Sequence, residues 1–214
     1  MQCVKGAEAP VGLRERKKRA TRAALAEAAV RLAAEHGIEN VTVEAISDAA
    51  DVSPRTFFNY FDSRDDAFVM IDSDVGARIR RAVLGAPPGL DPLTVVHDAF
   101  AAELADVEGR QEVWDLRAEV LKQAPHLMVR TLGAHMEDEL ILARAIAKRL
   151  DPDAPEPEQP GLYPRLVAAV AGTAVRISMQ HWGVGGTSDP FPVVFRRVFA
   201  HLAAGLPAPT HGDR

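Results

Sequence analysis

Between Thr42 and Phe61 two short apolar-periodic segments are separated by only three or four residues, Asp51-Val52-Ser53-Pro54. Thr42 stands ahead of the run Val43, Ile46 and Ala49, and a hydroxyl in that place caps a helix N-terminus. The spacing predicts a helix over about 43–50, a tight turn at 51–53 and a second helix over about 54–60, with Ser53 as its cap and Pro54 at its first position. Two short helices across such a turn form the helix-turn-helix, whose second helix enters the major groove of DNA. Ile46, Ala49, Val52, Phe57 and Phe61 have the spacing to pack both helices on a preceding one. Pro54, Arg55, Thr56, Phe58, Asn59 and Tyr60 are then left on or near the outer side. Arg pairs bidentately with guanine and Asn with adenine, Thr and Tyr bond phosphates, and an aromatic edge touches a thymine methyl.

The preceding helix is also legible. Leu25, Ala28, Ala29 and Leu32 recur at helical spacing in an Ala-rich segment, 20–34, closed by His36-Gly37. Gly37 suits the left-handed backbone of a helix end, and Ile38 and Val41 can fold back on the helix just finished. At its start, residues 14–22 hold Arg14, Arg16, Lys17, Lys18, Arg19 and Arg22 against the single acid Glu15. That density would draw a polyanion, although a solvated helix start would look the same. The chain as a whole carries a net charge of −5, distributed as +1 over residues 1–64 and −6 over 65–214, so nucleic-acid binding must come from this local patch.

The remainder reads as helices throughout. A fourth helix over about 64–84 is marked by Phe68, Ile71, Val75, Ile79 and Val83 and ended by Gly85-Ala86-Pro87-Pro88-Gly89. Helices follow at 91–108, 111–123, 126–150, 162–182 and about 190–205. Segment 151–160, with four prolines and four acids, reads as an exposed, extended linker. The fold expected is all-α: a disordered start (1–13), a helix-turn-helix domain (14–63), a helical effector-binding and dimerisation domain (64–206) and a disordered tail (207–214). A lone Cys3 excludes an internal disulfide and suits a reducing cytosol. With no apolar stretch of membrane-spanning length and no signal-type h-region, the expectation is a soluble cytoplasmic protein that involves no membrane.

With these residues in place, VTVEAISDAADVSPRTFFNYFDSRDDAF (41–68), preceded by its basic helix, resembles the N-terminal domain of the tetracycline-repressor (TetR) family of bacterial regulators. The likeness covers residues 14 to about 70 and is carried by Thr42, Ile46, Ala50, Val52, Ser53, Thr56, Phe57, Tyr60, Phe61 and Ser63-Arg64. It implies that Thr42 caps beside a phosphate, that Thr56 and Tyr60 grip the backbone, and that Arg64 holds another phosphate, while Arg55, Phe58 and Asn59 face base edges. Asp51 stands where the family often has Gly, at a left-handed turn position that Asp tolerates. The resemblance further implies a repressor: a homodimer on a double-stranded palindromic operator, dimerised through its last two helices and released by a small-molecule effector. The run from Glu15 to Phe61 is similar to actinobacterial regulators such as the mycofactocin-associated ones, which suggests a lipophilic or acyl-CoA effector.

In the C-terminal part, VAAVAGTA (167–174) would let two helices approach closely, and Phe195, Val198, Phe199 and Leu202 form an apolar stripe. That stripe can serve a dimer interface or be buried within one subunit. Phe100, Trp114, Met128, His135, Met136, Tyr163, Met179 and Trp182, with His126 and His181, mix apolar bodies with polar tips and are candidates to line an effector cavity, although each alone is ordinary core. His135 lacks the HExxH context of a zinc site, and Gly183-Val184-Gly185-Gly186 follows a helix rather than a strand, so neither a metal nor a nucleotide cofactor is expected. An enzyme would rest on no catalytic constellation. A scaffold that never meets DNA would have no reason to combine Arg55, Asn59 and Tyr60 with the basic run.

Overall fold

A computed structural model describes residues 13–69, 75–155, 157–183 and 187–207. Of the ends expected to be disordered, residues 1–12, with Cys3, and 208–214 lie outside the described residues, as do 184–186, whereas Leu13 already begins a helix. Every regular element among the described residues is a helix, and the chain divides into two compact units, Met1–Met70 and Ile71–Arg214.

The first unit holds α1 (Leu13–His36), a 3₁₀ turn at Ile38–Asn40, α2 (Val43–Ala49), α3 (Pro54–Phe57) and α4 (Arg64–Val69). α1 packs on α2 and α4, and α2 packs on α3. Leu25, Ala29 and Val30 from α1 meet Ile46, Phe57, Phe61 and Phe68 in a fully buried core. At Gly37 the φ of 81° is positive as expected, but its ψ of 141° lies outside the left-handed helical well, in a region that only glycine enters without strain. Ala49 is exposed and Val52 only half-buried, against the expectation that both serve the core. Ser47 takes the inner position instead: it is buried, and its hydroxyl donates to the Val43 carbonyl at 2.7 Å, so no polar group is left unmade. α3 ends at Phe57 rather than Tyr60, because the Asn59 and Tyr60 amides donate to the Thr56 and Phe57 carbonyls at 3.0 and 2.9 Å, a tightened last turn.

The second unit comprises α5 (Val75–Gly85), α6 (Pro92–Glu103), a 3₁₀ turn at Glu108–Arg110, α7 (Gln111–Gln123), α8 (Pro125–Leu150), α9 (Leu162–Trp182) and α10 (Phe191–Ala203). α8 lies between α5 and α9, α10 packs on α9 and α6, and α7 leans on α8. The helix expected over 64–84 is represented by α4 and α5, which fall in different units, and residues 70–74 between them lie outside the described residues. Asp91 caps α6, accepting from the Thr94 amide at 2.9 Å. A ladder of rings, Trp182–Phe191–Phe195–Phe199 with centroids 4.8–5.6 Å apart, closes the core from α9 along α10. The apolar stripe of α10 therefore faces its own subunit, with Phe195 and Phe199 buried and Val198 and Leu202 packed against that core.

Segment 151–160 is tied down rather than a free linker. The Lys148 ammonium donates to the carbonyls of Pro152 and Ala154 at 2.7 and 2.6 Å, and Arg144 donates to that of Glu158. Long cations near the C-terminal end of α8 thereby satisfy carbonyls that a Pro-rich chain cannot pair within itself.

Candidate nucleic-acid interface and effector core

The turn between α2 and α3 is built by its own side chains. Thr42 Oγ1 accepts from the Ala45 amide at 3.1 Å and starts α2, and Ser53 Oγ accepts from the Thr56 amide at 3.2 Å and starts α3 with Pro54 at its first position. Between them Asp51 adopts φ 54°, the left-handed position that its sequence place requires. The Val52 amide, donating to the Ser47 carbonyl at 3.0 Å, seals the turn.

Phe57 and Phe61 point inward, with rings 5.3 Å apart, while Phe58 between them is 57% exposed. Ser53, Pro54, Arg55 and Asn59 are exposed on the same short element, and Thr56 and Tyr60 are half-buried beside them. Ser53 Oγ and Thr56 Oγ1 stand 2.9 Å apart, which draws the two hydroxyls together at the helix start. The side chains the sequence singled out are thus brought together on one surface. A large aromatic ring left exposed just after α3, at a position the core does not bury, is the costly feature of this segment.

The basic residues divide in two. Arg14, Arg16, Lys17 and Lys18 are exposed along the first turns of α1. Arg22 instead turns inward: its guanidinium donates to the Tyr60 carbonyl and lies over the Phe61 ring, 4.3 Å from the centroid. Arg64 is similarly engaged, donating to the Val41 carbonyl at 3.0 Å, pairing with Asp65 at 3.2 Å and reaching over the Phe68 ring at 5.5 Å. It holds the residue just before the Thr42 cap. No sequence signal short of the fold could reveal either role, since the partners lie 38 and 23 residues away.

The candidate effector residues separate as well. Phe100, Trp114, Met179 and Trp182 pack in or against the core of the second unit. Met128 and Met136, 57% and 65% exposed, and also His126, His135, Tyr163 and His181 stand at the surface. Charged residues that the sequence reading passed over lie in this unit's interior. Arg78 and Glu103 form a bidentate pair at 2.7–2.9 Å joining α5 to α6, with both side chains largely covered. Arg117 lies beside Trp114, and enclosure by protein lowers its pKa to about 10. A cleft of about 690 Å³ opens elsewhere, bounded by the end of α5, the start of α6 and the end of α8, and holds none of the expected residues.

Among the described residues, no helix is long and apolar enough to cross a membrane, and no group of three His, Cys, Asp or Glu side chains could hold a metal ion.

Comparison with known proteins follows the division into units. The family described as bacterial regulatory proteins, tetR family, matches residues 25–69, and the one described as MftR C-terminal domain matches residues 90–207. The HTH-type transcriptional regulator TcmR of Streptomyces glaucescens is 32% identical over 186 residues, covering 83% of this chain and 80% of that protein. Solved structures that share the fold include two regulators. A TetR-family transcriptional regulator from Mesorhizobium loti MAFF303099 has 18% identity and a TM-score of 0.53 over 89% of this chain and 96% of its own. A TetR-family regulator from Streptomyces coelicolor A3 has 21% identity and a TM-score of 0.50 over 92% and 99%. With a capped helix-turn-helix in the first unit, a helical bundle in the second and a regulator matched over most of its length, the chain belongs to the TetR family of DNA-binding transcriptional regulators.

Proposed function

We propose that the chain is a homodimeric repressor. It holds a palindromic operator through the α3 surfaces of two subunits and releases it when an apolar small molecule enters the second unit. The observation that carries this reading is the outer side of α3 and of the turn that follows it, where Arg55, Phe58 and Asn59 are exposed while Phe57 and Phe61 are buried. Arg55 and Asn59 read base edges, Phe58 meets a thymine methyl, and Thr42, Thr56 and Tyr60 position the backbone with Lys17 and Lys18 of α1. Arg64 contributes to phosphate binding through the Val41–Thr42 segment it holds.

Two-fold readout needs two copies. The outer face of α9 supports an isologous contact: Leu162, Leu166 and Ile177 are exposed along it, and at Gly172 and Thr173 the exposed helix narrows enough for close approach. Val193 on α10 is exposed too. This face, rather than the inward Phe195–Phe199 stripe, is the dimerisation surface. The effector is lipophilic, an acyl-CoA being one candidate, and the protein acts in the cytoplasm, where its operator lies.

Sedimentation equilibrium together with selection of bound duplexes from a random pool tests the reading. The expected result is a dimer that enriches a palindrome; a monomer that enriches none overturns it.

A further inference from the structure

The cleft bounded by the end of α5, the start of α6 and the end of α8 has a volume of about 690 Å³, within the range of about 300–1,000 Å³ typical of small-molecule sites. Leu84 of α5, Pro88 and Leu90 from the turn that follows, and Leu150 at the last position of α8 give it apolar walls. Leu90 and Leu150 line the cleft and yet are 44% and 51% exposed, so apolar surface is gathered in a concavity without being covered. A single exposed leucine would mean nothing; apolar side chains grouped around one hollow mark a place for an apolar body.

Two cations, Lys148 and Arg149, line the same cleft. Both are bonded to neutral carbonyls, Lys148 to those of Pro152 and Ala154 and Arg149 to those of Val83, Ala86 and Pro87. Among the described residues neither meets a carboxylate. Asp151, two residues on from Arg149, accepts from the Ala154 amide at 3.3 Å instead. Asp91, the acid that lines the cleft, is taken up by Thr94, accepting from its amide and hydroxyl at 2.9 and 3.1 Å. A carbonyl orients a cation without cancelling its charge, so the cleft keeps two positive charges against one negative within a part of the chain, 65–214, that carries −6. An ammonium has three N–H donors and a guanidinium five, so both retain donors beyond the carbonyls they hold. Their stems are already fixed, which lowers the ordering cost of meeting an anion.

We propose that this cleft is a binding site for an amphipathic anion, with an alkyl or aryl body against Leu84, Leu90 and Leu150 and a carboxylate or phosphate head at Lys148 and Arg149. The site holds none of the residues expected to line an effector cavity, and its occupant would bridge the α5–α6 turn to the end of α8. It goes beyond the regulator reading and does not depend on it. An alkyl cation meets Lys148 and Arg149 as like charges, and a bare phosphate has no body to set against the walls, so the sign of the head and the apolar body are both required.

Calorimetric titration of the full-length chain with octanoate, octyl phosphate, octylamine and inorganic phosphate tests the proposal. Octanoate and octyl phosphate separate the two heads, and octylamine reverses the charge on the same alkyl chain. At least one octyl anion is expected to bind about tenfold more tightly than octylamine and than inorganic phosphate. A diazirine-bearing octanoate, photolysed on the wild-type chain and mapped by mass spectrometry, should label within 84–92 or 148–152, a readout that needs no variant. Leu90→Asp sets an acid in the wall and leaves both cations with their carbonyls; it should weaken the octyl anions about tenfold and bring octylamine level with them. Leu90→Ser, polar but neutral, should lose less and keep the preference for anions. Octylamine bound by the wild type as tightly as both anions, binding of neither anion, labelling confined to other segments, or unchanged anion affinity in Leu90→Asp overturns the proposal. No operator duplex is present, so failure here leaves the regulator reading standing, and failure to select an operator leaves the ligand of the cleft standing.

Discussion

The Arg22 guanidinium lies over the Phe61 ring, 4.3 Å from its centroid, and donates to the carbonyl of the neighbouring Tyr60. A side chain of the long first helix thus clamps the chain just after α3, the element proposed to face DNA. α3 is four residues long and cannot hold its own shape by helical propensity, since isolated helices of that length do not form. Its orientation is imposed from three sides: the Ser53 cap at the start, buried Phe57 in the middle and Arg22 at the end.

Removing that clamp should cost stability and readout together. Arg22→Ala loses a charge-assisted hydrogen bond and a cation–π contact, about 2–3 kcal/mol. Chemical denaturation is expected to show that loss in the first unit, with operator affinity falling for all sequences alike. An Arg22→Ala protein of wild-type stability would show that α3 is held without it.

Base readout and phosphate grip separate by their salt dependence. Arg55→Ala and Asn59→Ala should each lose about 1–3 kcal/mol of operator affinity and relax preference at one position. Replacing Lys17 and Lys18 together should weaken binding to every duplex and lower the slope of log K against log salt by about 2. Competition binding across salt concentrations, followed by reselection from a random pool, distinguishes the two classes. An unchanged motif and affinity for Arg55→Ala would remove that residue from the base-reading set.

How far the sequence speaks depends on the range of the interaction. Capping is local, so Thr42, Ser53 and Pro54 could be assigned from their neighbours, and Asp51 could be expected at positive φ from its place in the turn. Arg22 sits in a basic run and Arg64 among the polar residues before α4, where any cation looks solvated, and only the folded chain reveals their partners. The α10 stripe was ambiguous because periodicity gives a helix an apolar face without naming what covers it. Likewise, no spacing rule joins Arg78 to Glu103, or Arg117 to His135, since each link bridges two helices.

At the other end of the second unit, Arg149 donates to the carbonyls of Ala86, at 2.8 Å, and of Pro87 just beyond α5. Arg149 also approaches the Val83 carbonyl at 3.5 Å, an acceptor in the last turn of α5, so one side chain ties the helix end to the proline-bearing segment that follows it. Arg149→Ala should destabilise the second unit by about 1.5–3 kcal/mol, read as a lower midpoint in urea, while leaving the motif selected by α3 unchanged. A shifted motif would tie this corner to DNA readout.

The last expectation concerns acid. Partial burial, then the Arg117 charge, lower the pKa of His135, with Arg176 adding to them and Asp138 opposing. A folded-state pKa below the unfolded value of about 6.5 means that the unfolded chain takes up the proton more readily, so stability rises with pH across that region and is lost as pH falls through it. The effect is small because the imidazole stands largely exposed. Thermal midpoints between about pH 5 and pH 8 should therefore decline on the acid side, and His135→Gln, which stays neutral, should flatten that decline without altering the midpoint at the alkaline end. A midpoint profile identical in the variant and the wild type would show that His135 titrates alike in both states.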